Sequence, residues 1–195
     1  MIFLAQFDSR HCVQIMIHNN TTQNRFDLKR HIREIPNFPE PGILFYDIST
    51  LIKQPDAWTQ VIQELSSILM KSKINMVYGI EARGFLVAAA VAHHLNIGMQ
   101  MIRKKGKLPG ETISLTYDLE YGVDTLEIQS GSITPKHRIA ILDDVLATGG
   151  TMQAAIELLT SAQAEIICCA TIIELPFLNG KEKIKTEFHS LITYD

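Results

Sequence analysis

Residues 139–151 read IAILDDVLATGGT. An apolar run meets two adjacent carboxylates, Asp143 and Asp144, and a bare stretch then closes on Thr148-Gly149-Gly150-Thr151. Behind it, Met152, Ala155, Ile156 and Leu159 recur at helical spacing. This is the pattern of a buried strand, a tight loop and a helix start. Such a loop can wrap backbone N–H groups around a phosphate, and the helix adds its own unpaired N–H groups and the positive end of its dipole. Glycine lets the backbone approach closely, and the two threonines add hydroxyls. Two carboxylates would repel a bare phosphate. Beside a phosphate loop they suit vicinal hydroxyls, or Mg²⁺ bound to those hydroxyls. A diol at one end and a phosphate at the other is the layout of a ribose 5-phosphate. Alone, Asp143-Asp144 would better suit a turn that caps the next segment; the loop and helix reverse that reading in favour of the ligand.

Outward from this stretch the alternation continues. Residues 74–80 read as a strand, 81–84 as a loop, 85–95 as a helix and 97–102 as a strand. Further strands are expected at 138–142, 166–175 and 188–194. The clearest helix is 56–71, where Trp58, Val61, Ile62, Leu65, Ile68 and Leu69 form one stripe behind Pro55. Near-continuous apolar strands separated by helices predict an α/β fold with a mostly parallel sheet flanked by helices. Ligands of such sheets sit beyond the carboxyl ends of the strands. Before this unit, 27–33 reads as a short helix, and Pro36, Pro39, Pro41 and Gly42 enforce an extended, turning segment. The stretch 103–131 is basic at first, glycine-containing and of weak period.

The bulk composition sets bounds. A chain of 195 residues, 46% hydrophobic and 20% charged, suits one globular domain. A net charge of -3 gives no global pull toward nucleic acid or anionic membrane, so an anion site must be local. Three cysteines (Cys12, Cys168, Cys169) lack metal-ligand spacing, and the adjacent pair would face opposite ways on a strand. They read as buried free thiols of a reducing compartment. The seven histidines are dispersed and none is assigned to a metal. No window has the length of a membrane span, and residues 1–20 make a poor signal peptide, so a cytoplasmic protein is expected. Residues 1–26 read as a loosely attached extension in which Met16 is a second candidate start.

Neither a Walker A loop nor a dinucleotide G-x-G-x-x-G is present. The opening stretch instead resembles the signature of type I phosphoribosyltransferases, enzymes that use phosphoribosyl pyrophosphate (PRPP). IPNFPEPGILFYDIST (35–50), GIEARGFL (79–86), IRKKGKLPGET (102–112), LEYG (119–122) and LDDVLATGGTM (142–152) follow in an order similar to family members that take adenine. The resemblance runs over roughly residues 28–185. It implies a single-domain fold over 27–195 with a small N-terminal hood and a mobile lid at about 103–125. It also implies the reaction adenine + PRPP ⇌ AMP + pyrophosphate, with Mg²⁺, in a homodimer.

The same resemblance distributes roles. Ala147, Thr148, Gly149, Gly150 and Thr151 would hold the 5′-phosphate, and Asp143 and Asp144 the ribose hydroxyls, with Mg²⁺ as a further partner. Glu81, Ala82, Arg83 and Gly84 would face pyrophosphate, aided by an unusual cis peptide, with Arg83 also serving catalysis. Arg103, Lys104 and Lys107 would add positive charge there; Lys105 reads equally as a solvated base. Glu120 would be the acid/base at the adenine ring, with Tyr121 of the lid in support. The main chain of Leu44, Phe45 and Tyr46 would read the base, and Phe45 and Val145 would sandwich it. Tyr46 stands where many members carry a basic residue. Two alternatives stay open: another base (hypoxanthine, guanine or xanthine), and a non-catalytic PRPP-binding regulator. Against the second, 1–26 contains no helix-turn-helix pattern.

Overall fold

A computed structural model describes residues 26–118 and 122–195. Cys12 and, but for Phe26, the expected extension at 1–26 lie outside the described residues. The expected short helix at 27–33 is a single 3-10 turn, Leu28–His31, capped by the Asp27 carboxylate, which accepts from Lys29 N at 3.2 Å. Strands β1 (Arg33–Pro36) and β2 (Leu44–Asp47) pair antiparallel and form the hood that the prolines foreshadow. Two helices follow, α1 (Ser49–Lys53) and α2 (Pro55–Lys71). Proline suits the first position of α2 because its missing N–H would have no helical partner there. Val61, Leu65 and Leu69 of its apolar stripe are fully buried, each worth about 1.5–3 kcal/mol as an upper estimate.

The central unit then runs β3 (Met76–Ile80), α3 (Gly84–Leu95), β4 (Gly98–Lys104), β5 (Thr112–Asp118), β6 (Val123–Gln129), β7 (Arg138–Leu146), α4 (Gly150–Ser161), β8 (Glu165–Glu174) and β9 (Glu187–Thr193). The sheet order is β5-β6-β4-β3-β7-β8-β9. The five strands from β4 to β9 are parallel, and β6 and β5 extend one edge antiparallel. Both faces are covered, as expected. One core gathers around α2 and α3 and takes Val77, Leu142 and Cys168; the other gathers around α4 and takes Tyr78, Ile141 and Cys169. The adjacent cysteines thus face opposite sides, and both are buried free thiols. Burial holds the Cys168 thiol up at about 11 and pushes that of Cys169 upward as well.

The topology places the site. From β3 the chain crosses through α3 to β4 on one side, while β7 lies on the other side of β3. The strand order therefore reverses between β3 and β7, and the loops after their carboxyl ends diverge to leave a crevice. Those loops are 81–84 and 147–150.

Two segments differ from the expectation. The weak-period stretch 103–131 contains a regular hairpin, paired from Thr112↔Gln129 to Asp118↔Val123. Its outer strand alternates partly buried and exposed residues and carries Thr, Ser and Asp, so its apolar signal is faint. Strand β7 also continues past residue 142 to Leu146, because β8 keeps pairing alongside it through Asp143↔Thr171 and Val145↔Ile173. Asp143 and Asp144 thus belong to the strand rather than to the loop after it.

Candidate active site

The end of β7 and the start of α4 form one wall of a crevice of about 240 Å³, lined continuously from Asp143 to Met152. Gly149 is the N-cap of α4 at φ +77°, a conformation that a side chain would oppose. A Cβ there would also run into the Gly180 carbonyl, and one at Gly180 would run into that of Ala147. Two glycines from distant parts of the chain therefore pack backbone to backbone and hold the loop in shape. Gly180 was not foreseen: its NGK context reads as an ordinary turn, and only the tertiary approach reveals it. With glycine at the cap, the first N–H groups of α4 have no side-chain partner, and Gly150, Thr151 and Met152 line the crevice. This is the arrangement that favours an anion.

Asp144 is buried and Asp143 partly so. The Asp143 carboxyl accepts from the Asp144 N–H at 2.9 Å, and a Cβ at Gly84 would come within 2.9 Å of its Oδ1. Only glycine at position 84 lets the start of α3 lie this close to β7. Burial first, and then the Asp144 charge, hold the Asp143 carboxyl well above its ordinary value. Burial raises Asp144 too, although the Arg83 guanidinium works against it. Arg83 Nε lies 2.7 Å from Asp144 Oδ2, off the N–H axis, so this is an ion pair without a directed hydrogen bond.

The opposite wall is the loop after β3. Glu81, Ala82 and Arg83 line the crevice, and the Glu81–Ala82 peptide is cis. The Glu81 carboxylate is committed to neighbours: it accepts from Arg103 Nε and Nη2, both at 3.1 Å, and from Lys104 N at 2.9 Å. The bidentate arginine holds it below the usual carboxylate value. Glu81 can then offer a ligand its main chain, not its charge. Of the three expected bases only Lys104 lines the crevice. Arg103 is turned to Glu81 and donates to the Lys107 carbonyl at 2.9 Å, and Lys107 is exposed. Glu120 and Tyr121 lie outside the described residues, between the register partners Asp118 and Val123.

The hood lies beside the crevice without lining it. Phe45 is joined to the site through Arg83, whose guanidinium carbon stands 4.6 Å from the ring centroid, and Val145 lines the crevice itself. Leu44 is exposed, and Tyr46 stacks on Tyr194 at 4.2 Å between centroids. β2 pairs only with β1 among the described strands, which leaves its other main-chain edge open. No group of three or more His, Cys, Asp or Glu among the described residues is placed to hold a metal.

A glycine-capped helix start, two adjacent acids and a facing loop at a switch point define a class: an α/β protein with a crevice suited to a phosphorylated sugar. Comparison with known proteins agrees with that class. The phosphoribosyl transferase domain family matches residues 50–190. Adenine phosphoribosyltransferase of Rhodospirillum centenum is 52% identical over 169 residues, covering 87% of this chain and 99% of the relative. The solved adenine phosphoribosyltransferase of Thermoanaerobacter pseudethanolicus superposes with a TM-score of 0.83 at 41% identity, covering 86% of this chain and 98% of that one. The enzyme of Saccharomyces cerevisiae, solved with an imino-altritol bisphosphate and adenine, gives 0.81 at 37% identity over 84% of this chain and 96% of its own. The chain belongs to the adenine phosphoribosyltransferase branch of the phosphoribosyltransferase family.

Proposed function

We infer that the chain transfers the phosphoribosyl group of PRPP to adenine, giving AMP and pyrophosphate, a purine-salvage reaction. The observation that carries this is the juxtaposition of Asp143 and Asp144 with the loop from Ala147 to Thr151 at the switch point. Identity of about half to adenine-specific relatives supports the choice of base.

In this reading the loop and the α4 amides hold the 5′-phosphate, and Asp143 and Asp144 accept from the ribose hydroxyls. Ala82, Arg83, Gly84 and Lys104 meet pyrophosphate, with Glu81 acting through its main chain; Arg103 braces Glu81, and Lys107 stands further out. The open edge of β2 supports recognition of adenine by the main chain of Leu44, Phe45 and Tyr46, which makes the side chain at position 46 free to differ. The ring would take the space between Phe45 and Val145 once Arg83 turns toward pyrophosphate. Glu120 exchanges a proton with the base and Tyr121 supports the lid. Breaking the bond to pyrophosphate builds positive charge at the sugar carbon, and a closed lid keeps water from it.

Magnesium fits this site as a substrate-borne ion. Two acids at the diol, with no third His, Cys, Asp or Glu beside them among the described residues, suit a cation held mainly by substrate oxygens and water. When bound it would neutralise charge on the leaving pyrophosphate.

The domain is proposed to span 27–195 with 1–26 as an appendage. The buried thiols Cys168 and Cys169 support a reducing, cytoplasmic setting. A homodimer is supported by an apolar face on α3 and β4, where Leu86 is 49% and Met101 38% exposed. The reaction is tested by following PRPP consumption with each purine base in turn. Adenine should be turned over; activity with guanine and none with adenine would overturn the assignment.

A further inference from the structure

Among the described residues two cations line the crevice, Arg83 and Lys104, and both are already paired with acids. Arg83 faces Asp144, itself part of the crevice wall. The partner of Lys104 is different. Its ammonium pairs with Asp124, which stands on the neighbouring strand β6 and does not line the crevice. The Asp124 carboxylate is fixed in place, since its Oδ1 accepts from Thr125 N at 2.7 Å. The Tyr117 hydroxyl completes a three-member cluster, 3.4 Å from both Lys104 Nζ and Asp124 Oδ2. That hydroxyl is also 3.4 Å from Thr151 Oγ1, so the cluster abuts the phosphate loop. The pair is partly enclosed, with side-chain exposures of 38% for Lys104 and 25% for Asp124, so it is less screened than a surface ion pair.

We propose that Asp124 is a positioning residue that competes with pyrophosphate for Lys104, and so weakens the hold of the site on its leaving group. This rests on the pyrophosphate role given to Lys104 above. An ammonium has three donors and can bridge Asp124 and a phosphate oxygen, but its charge is then shared between them. Tight binding of a released product slows turnover, so an acid that offsets part of the Lys104 attraction favours departure. The hydrogen bonds and ion pairs of Asp124 among the described residues go to Lys104, Tyr117 and Thr125, not to the phosphate loop or the 81–84 loop.

The test is calorimetric titration of magnesium pyrophosphate into the full chain. Asp124→Asn should bind roughly threefold to tenfold tighter than the unmodified chain, as expected for loss of a partly enclosed competing charge. Asp124→Glu keeps the pair and should retain the original affinity. Asp118→Asn removes an exposed charge from the same hairpin and should change nothing. In a Lys104→Gln background, Asp124→Asn should have no further effect, which a loss of hairpin structure would not reproduce. If Asn disturbs folding, Asp124→Ser carries the same expectation. Equal or weaker binding by Asp124→Asn, or equal tightening by Asp118→Asn, would overturn the proposal while leaving the functional reading intact. An unmodified chain that fails to bind magnesium pyrophosphate would overturn both.

Discussion

Asp143 is an acid in a place that opposes its charge. Its carboxyl is raised by burial and by Asp144, so the folded chain holds that proton more tightly than the unfolded one. The sign follows from linkage. A raised carboxyl favours folding below its ordinary value near 3.8, and this contribution is lost as pH rises through the folded value. Asp143→Asn keeps an acceptor for the Asp144 N–H and removes the charge. It should raise the Tm at neutral pH by about 2–5 °C, with a shrinking difference toward pH 4, and should abolish PRPP binding. A lowered Tm at neutral pH would show that the carboxylate stabilises the fold. Glu120→Gln addresses the proposed proton transfer and should lower kcat by about 10²–10⁴ with PRPP binding kept; an unchanged kcat removes Glu120 from the reaction. At this scale the sequence was informative where chemistry is written in residue type, as in the paired acids and the ATGGT loop. It was silent on Asp124 and Gly180, whose significance comes from what stands opposite them in space.

The proposed phosphate loop depends on a contact between elements distant in sequence. Gly149 and Gly180 meet backbone to backbone, so a side chain at either displaces the loop rather than merely filling the ligand space. Gly149→Val should therefore lose PRPP binding and also about 2–4 kcal/mol of stability, read by ligand titration and by thermal unfolding. Normal PRPP affinity would refute the cradle. Elements with a strong apolar period were legible: α2, α3 and the parallel strands lie within a few residues of their expected limits. The hairpin β5–β6 was not, because an edge pair with one wetted face mixes Thr, Ser and Asp into its pattern. The reach of β7 past its apolar run was also hidden. Pairing with β8 extends it, and a carboxylate can sit in a strand when its neighbours supply partners.

Across the whole molecule, strand order decides where chemistry happens. The reversal between β3 and β7 brings 81–84 against 143–151, about sixty residues apart in the chain, and the sheet would hold a ligand there whatever its identity. That choice of place was legible from alternating strands and helices; the face proposed to meet another copy was not, since a single chain does not mark it. The proposed dimer face gives a check. Leu86→Glu should convert a dimer into a monomer in sedimentation velocity, and an unchanged mass would remove α3 and β4 from the interface. The most direct measurement of the account is a crystal structure with AMP. The account predicts the phosphate within hydrogen-bond distance of the main-chain N–H groups of 148–151, the ribose hydroxyls on Asp143 and Asp144, and the purine against Phe45 and the β2 edge. A phosphate bound away from that loop, or a purine away from β2, would contradict it.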